Sequence, residues 1–374
     1  MSEQPDGLVG ASAKPEKYAL IVITKHGVAL GARLNAAMPE ADLWVSSKFA
    51  VQAPDGAIAF DGSPGKLIAD LFERYTGLVF FVSLGAVVRM IAPHLKDKHV
   101  DPAVLVVDDR GQFVIPVLSG HLGGANALAR RIGEAMGAAP VITTASDVNN
   151  TIAVDLFGRE FGWRIEGWEN VTAVSAAVVN EEPVAVFQDA GEPGWWPVDK
   201  PLPQNIHRVV SLRECERFSA TLAVTDLAEL PEGIRRRAVL YRPRSLVVGV
   251  GCNRGTAETE IREAVHSVLG RFGLSPHSVR NWASIDAKRD EEGLLAAAKA
   301  EGLAVRFFSK EALNAITVPN PSEAPLKYVG AQGVAEPSAL LSAGAETALI
   351  VPKQKIGNCT VAVARVLYQG RGQG

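Results

Sequence analysis

The stretch "YALIVITKHGVALGARLNAAMPEADLWVSS", residues 18–47, decides the fold class. Its first run, "YALIVIT", is apolar and rich in β-branched side chains and reads as a strand. "GVALGARLNAAM" repeats its apolar residues at helical spacing, and "ADLWVSS" is a second strand. A helix between two short apolar strands is the unit of a parallel sheet, because the chain must cross over the sheet before it can pair again in the same direction. The alternation continues through the helix "KLIADLFERY", the strand "LVFFVSLG", a helix from near Ala86, the hairpin-like pair "AVLVVDD" and "FVIPVL", and a strand in "PVITTASD". Residues 17–145 are therefore expected to form an N-terminal α/β domain with a glycine loop, behind a flexible polar tail over residues 1–16.

From residue 146 the texture changes. A Pro/Gly/Trp-rich segment, "DAGEPGWWPVDKPLPQN", separates apolar runs, a helix is expected over residues 170–180, and "PVAVFQD", "ATLAVTD" and "RRAVLYRP" read as strands. Residues 146–243 are expected to be a smaller middle α+β domain, ending where Pro243 interrupts a strand. At residue 244 the strand, glycine loop and helix of "SLVVGVGCNRGTAETEIREAVHSVL" open a C-terminal α/β ligand-binding domain reaching residue 370. The expected architecture is α/β, with terminal domains of mixed or parallel sheets joined by the middle one.

A formal charge of −3 with no dense Lys/Arg stripe gives no footprint for nucleic acid or an anionic membrane, so a small-molecule ligand is favoured. Cys215, Cys252 and Cys359 are an odd number at wide spacing, which indicates neither a disulfide framework nor a zinc site and fits a reducing cytoplasm. No apolar run approaches the roughly 18 residues of a membrane span.

Two glycine loops could carry chemistry. In "SGHLGGANALARRIGEAMG", residues 119–137, Ser119, Gly120, Gly123 and Gly124 lie between a strand and a helix, so free N–H groups and the positive end of a helix dipole are offered to an anion. Neither the dinucleotide nor the Walker spacing is met, so a carboxylate suits as well as a phosphate. His121 and Asn126 within it read either as catalytic or ligand-contacting groups or as loop-capping ones. No GxSxG surrounds Ser119, which gives no support for a serine nucleophile there.

The second loop, "GVGCNRGT", has one residue too many for a dinucleotide fingerprint, which leaves an NAD(P)-dependent oxidoreductase as an alternative. Gly251 and Gly255 shape it, Arg254 offers a bidentate grip on a carboxylate, and Thr256 is placed to cap the following helix. Ser284, Asp286 and Lys288 alternate along one face if extended; Lys353 and Asn358 are expected, with Lys355, in a loop before the last strand. Gly85, Arg89, Lys96 and Lys98 form a further cationic stretch, each with a plain surface role as its alternative.

Five blocks together, "GAVVRMIAPHLKDKHVDPAVLVVDDRGQFVIPVLSGHLGGANALARRI", "GVGCNRGT", "SIDAKRDEEGLL", "VAEPSALL" and "LIVPKQKIGNCTVAVAR", resemble the cobalt-precorrin-5A hydrolase family (CbiG) of the anaerobic cobalamin pathway. The C-terminal part alone resembles a smaller protein of the aerobic route. The resemblance implies an enzyme that opens the lactone of a cobalt-bearing, ring-contracted tetrapyrrole and releases the extruded two-carbon unit as acetaldehyde. The cobalt belongs to the substrate, so no cofactor or protein-bound metal is expected. For that chemistry His121 is assigned to water activation, the N–H groups of Gly123 and Gly124 to the oxyanion, and Arg89, Lys96, Lys98, Arg254 and Lys353 to substrate carboxylates. A non-catalytic tetrapyrrole-handover protein is the other alternative, and a homodimer and transient contacts with neighbouring pathway enzymes are compatible with either.

Overall fold

The computed structural model describes residues 17–97, 100–318, 333–344 and 347–368. The expected tail over residues 1–16, Lys98, and residues 369 and 370 of the C-terminal segment lie outside the described residues. The chain divides into two compact units, one ending at Leu156 and the other beginning at Phe157. Residues 146–156, assigned to the middle segment by sequence, pack with the first unit.

In the first unit β1 (Tyr18–Val22), α1 (Lys25–Ala37) and β2 (Ala41–Ser46) are followed by β3 (Ile58–Phe60), α2 (Pro64–Arg74), β4 (Gly77–Phe81), α3 (Leu84–Ile91), β5 (Ala103–Val107), β6 (Phe113–Leu118), α4 (Ala125–Met136), β7 (Ala139–Pro140) and α5 (Ala145–Val148). One seven-stranded sheet has the order β3-β2-β1-β4-β5-β6-β7. All its pairings are parallel except β5 with β6, the expected hairpin. Every residue of β1, β4 and β5 is buried, because helices cover both faces of a parallel sheet. Alternate residues serve opposite faces: Leu20, Val79 and Leu105 join one core with Leu128 and Ile132 of α4, and Ile21, Phe80 and Val106 join the other with Ile68 and Leu71 of α2.

Of the expected strand in "PVITTASD" only Pro140 lies in a strand, the two-residue β7. Pro140 carries no N–H for a ladder, and the chain then leaves the sheet as Asn126 Nδ2 donates to Thr144 Oγ1 at 2.8 Å. The single turn α5 follows, with Val148 N–H donating to Thr144 O at 3.0 Å.

The second unit holds β8 (Arg164–Glu166), α6 (Trp168–Val179), β9 (Val184–Gln188), β10 (Ile206–Val209), α7 (Leu212–Cys215), β11 (Ala220–Val224), α8 (Glu232–Arg235) and β12 (Ala238–Arg242). These strands form a sheet of order β10-β9-β11-β12-β8, parallel throughout except for β8. A second sheet, β15-β14-β13-β17-β16, is built from β13 (Leu246–Cys252), β14 (Val279–Ile285), β15 (Val305–Phe308), β16 (Ala348–Ile356) and β17 (Cys359–Arg365). Helices α9 (Glu258–Arg271), α10 (Glu292–Ala300), α11 (Lys310–Asn314) and α12 (Ala335–Ala343) accompany it.

Charge joins these two sheets into one unit. The carboxylate of Asp226, completely buried, accepts from Ser245 Oγ at 2.8 Å and from Arg365 Nε at 2.8 Å and Nη2 at 2.5 Å. Arg242, equally buried, donates to Glu166 and to the carbonyls of Thr225, Leu227 and Ala228. Such buried ions persist only where every donor and acceptor is met.

Candidate active site

The first glycine loop runs from the end of β6 to the start of α4, and its geometry requires glycine at two places. A Cβ on Gly123 would lie 2.3 Å from Ser119 Cβ, and Gly124 has φ +83°, the left-handed region that side chains resist. Ser119 itself has φ +57°, held there as its Oγ donates to Asp101 O at 3.0 Å. The loop closes on itself: Gly124 N–H donates to His121 O at 2.9 Å, Ala125 N–H to Ser119 O and Asn126 N–H to Gly120 O. Gly124 therefore cannot also be an oxyanion donor, as the sequence suggested. The Gly123 N–H donates to no described group.

His121 projects from this loop into a polar cluster. Its Nδ1 is 3.1 Å from Asp155 Oδ1, and its Nε2 is 3.2 Å from Asp147 Oδ2 and 3.0 Å from Ser146 Oγ. The imidazole and both carboxylates are 17–21% exposed, shielded yet within reach of solvent. Asp147 is anchored from three sides: Oδ1 accepts from Arg130, and Oδ2 accepts from Asn126 Nδ2 at 2.9 Å as well as facing the imidazole. Asn126 is thus a buried cross-link between α4 and α5, not a helix cap.

The hydrogen bond to Asp155 raises the His121 pKa above its ordinary 6.5, against the opposing effect of burial, and Asp147 adds to the rise. Burial pushes the Asp147 carboxyl up, but hydrogen bonds from Arg130, Asn126 and His121 outweigh it and hold the carboxyl below its usual range. Because the His121 pKa is higher folded than unfolded, its ion pairing stabilises the protein fully below the unfolded value and is lost as pH rises through the folded one. The difference in unfolding free energy between the parent and His121→Gln should be larger near pH ~6 than near pH ~9, measured by denaturant titration; equal differences would contradict the pairing.

The other proposed anchors are placed differently from one another. Gly85 lies in the first turn of α3, and Arg89 Nη1 folds back on its carbonyl at 3.0 Å. Lys96 is exposed, with Nζ 3.8 Å from Glu73. Lys98 lies outside the described residues.

In the second unit the loop after β13 already holds a carboxylate of its own. Gly255 N–H donates to Glu291 Oε1 at 2.6 Å, and Lys288 Nζ contacts Glu291 Oε2 at 2.8 Å. Arg254 grips Asp290 through both terminal nitrogens at 3.1 Å. Asn253 N–H donates to Asn358 O, so the amides that would cradle a pyrophosphate are engaged, which argues against the dinucleotide reading. Glycine at 249 serves packing instead: a Cβ there would sit 1.8 Å from Ala335 O, where α12 crosses β13. Gly251 likewise makes room for the Thr360 hydroxyl.

Thr256 does not cap α9; the cap position is Ala257, and the Thr256 hydroxyl donates to Asn253 O at 2.8 Å. Ser284, Asp286 and Lys288 do not share a face. Ser284 is buried with Oγ donating to Val250 O, whereas Asp286 and Lys288 lie in a 3-10 turn that breaks the alternation. Lys353 is on β16 rather than in a loop, its N–H donating to the buried Glu336, and Asn358 occupies the turn before β17. Among the described residues no helix is long and apolar enough to cross a membrane, and no group of three or more His, Cys, Asp or Glu side chains is arranged to hold a metal.

Sequence reasoning missed Ser146, Asp147 and Asp155. They stand 25, 26 and 34 residues from His121: Ser146 and Asp147 end a run whose apolar start disguised it as a strand, and Asp155 lies beyond that run, in residues assigned to the middle domain.

Three family models match the chain: "Cobalamin synthesis G N-terminal" over residues 66–147, "Cobalamin biosynthesis central region" over 152–243 and "Cobalamin synthesis G C-terminus" over 246–364. Over 357 residues it is 48% identical to the cobalt-precorrin-5A hydrolase of Priestia megaterium, covering 94% of this chain and 95% of that one. The chain belongs to the cobalt-precorrin-5A hydrolase (CbiG) family. The member from Salmonella typhimurium is 34% identical over 342 residues, covering 89% of this chain and 94% of that one. "Protein CobE" of Sinorhizobium sp is 35% identical over 137 residues, 36% of this chain but 89% of its own length, so part of the CbiG chain has a free-standing relative. The N-terminal CbiG model takes in the glycine loop, His121, Ser146 and Asp147; Asp155 falls within the central one.

Proposed function

We propose that this chain hydrolyses the lactone of cobalt-precorrin-5A and releases acetaldehyde to give cobalt-precorrin-5B, a step of anaerobic cobalamin biosynthesis. The observation that carries the reading is the identity of 48% to a cobalt-precorrin-5A hydrolase across 94% of the chain. The cobalt arrives with the substrate, and the enzyme works without a cofactor of its own.

The His121 cluster supplies what the chemistry requires. Hydrolysis needs a proton acceptor for the attacking oxygen, a donor for the carbonyl oxygen as charge develops there, and a proton for the departing alkoxide. His121 shuttles the proton, with Asp155 and Asp147 stabilising its charged form. The Gly123 N–H, at the positive end of α4, receives the oxyanion. Exposed cations such as Arg89 and Lys96 attract the acetate and propionate groups of the macrocycle. A cytoplasmic location, a homodimer and transient contacts with neighbouring pathway enzymes belong to the same proposal.

Incubating the purified protein with cobalt-precorrin-5A should release acetaldehyde well above the protein-free rate. Tight corrinoid binding with release no faster than the protein-free control would favour a handover protein instead.

A further inference from the structure

Two buried serines, Ser284 and Ser338, donate to the main-chain oxygens of Val250 and Ala283, and a third, Ser245, donates to the Asp226 carboxylate. Ser146 is also buried, at 8% exposure, but its hydroxyl has a single described partner, the Nε2 of His121 at 3.0 Å. The opposite nitrogen of the same ring is held by Asp155 Oδ1 at 3.1 Å. A hydroxyl on one imidazole nitrogen and a carboxylate on the other is the arrangement that activates an oxygen nucleophile, recognised by geometry and not by order along the chain.

We propose that Ser146, His121 and Asp155 form a nucleophile, base and orienting carboxylate, and that the lactone opens through an ester on the Ser146 oxygen. The proposal rests on the hydrolase reading and specifies its first covalent step. Ser146 Oγ adds to the lactone carbonyl carbon while its proton passes to His121 Nε2. The bond from that carbon to the alkoxy oxygen breaks, and the oxygen keeps the electron pair. The resulting alkoxide collapses to acetaldehyde as the carbon–carbon bond to the macrocycle breaks; the macrocycle takes that electron pair and the proton from His121. Water then adds to the acyl-serine with His121 again accepting a proton, and the Ser146 oxygen leaves and recovers it. One water is consumed, and the products are the side-chain carboxylic acid, acetaldehyde and the protonated macrocycle.

Asp147 has a separate part. It faces Nε2 at 3.2 Å but is tied to Arg130 and Asn126, so it favours the charged form of the ring and leaves Ser146 to engage the nitrogen when the ring is neutral. The charged groups around the imidazole are Asp147, Asp155 and Arg130. Removing the Asp147 charge should therefore move the acidic limb of the rate profile to lower pH, a change a merely structural residue would not produce.

The test mixes enzyme with a several-fold excess of cobalt-precorrin-5A, quenches in acid at early times, and examines the peptide carrying Ser146 by mass spectrometry while acetaldehyde is followed in time. Expected are a corrinoid adduct on Ser146, a burst of acetaldehyde equal to the enzyme concentration, a loss of about 10²-fold or more in Ser146→Ala with corrinoid binding retained, and the shifted acidic limb in Asp147→Asn. If Ser146→Ala does not fold, Ser146→Cys takes its place and should carry the adduct as a thioester. Full turnover by Ser146→Ala alongside an inactive His121→Ala would overturn the triad and leave the hydrolase reading standing with water as direct nucleophile. Absence of any quenched adduct at this position, in the parent and in Ser146→Cys alike, with linear acetaldehyde release, would overturn it too. Failure of the unaltered protein to release acetaldehyde would instead overturn the hydrolase reading.

Discussion

His121→Ala should lower acetaldehyde release from cobalt-precorrin-5A by about 10²–10⁴-fold, the range usual for loss of a positioned proton-transfer group. Corrinoid affinity should change far less, because the imidazole is already engaged by Asp147 and Asp155 and is not free to meet the substrate's carboxylates. Among the described residues the imidazole is the group placed between Asp147 and Asp155 and within reach of the Ser146 hydroxyl, so its loss also leaves two carboxylates facing one gap. Circular dichroism and the absorbance change on corrinoid binding separate a folded, inactive variant from an unfolded one. A folded His121→Ala that releases acetaldehyde at the parent rate would remove the first glycine loop from the chemistry.

Arg365→Met should destabilise the second unit by about 3–5 kcal/mol, the cost typical of leaving a buried ion without its partner. Asp226 is wholly buried and would keep only Ser245 of its present side-chain donors. Methionine retains much of the aliphatic bulk, so the loss reports charge more than cavity. Denaturant unfolding monitored by tryptophan fluorescence reads the change as a lower midpoint; an unaltered midpoint would show that the Asp226 cluster does not hold the two sheets together. A double variant, Asp226→Asn with Arg365→Met, should recover part of the loss, since no charge is then left buried.

The local pattern of the chain was sufficient for the α/β class. Runs such as "YALIV", "GLVFF" and "AVLVV" are apolar at every position, which only a strand covered on both faces tolerates, and the helices between them follow from period and length. It was also sufficient to bring His121 and Gly123 forward, because a glycine loop leading into a helix exposes N–H groups whatever the rest of the fold does. It misjudged Thr256 as a cap, and it put Ser284, Asp286 and Lys288 on one face only if the run is extended, a condition the structure does not meet; both depend on where a 3-10 turn or a helix actually begins.

The amino-acid sequence by itself determined the α/β class, the glycine loop with its histidine and, through its five blocks, the family. Only the tertiary structure decided the partners of that histidine, because Ser146, Asp147 and Asp155 lie outside the glycine loop and carry no periodic signal. It likewise decided that Glu291 fills the second glycine loop and that Asp226 and Arg365 bind one sheet to the other. Periodicity is fixed by backbone geometry over a few residues, whereas ion pairs and hydrogen bonds between distant side chains exist only once chain crossings have brought them within about 3 Å.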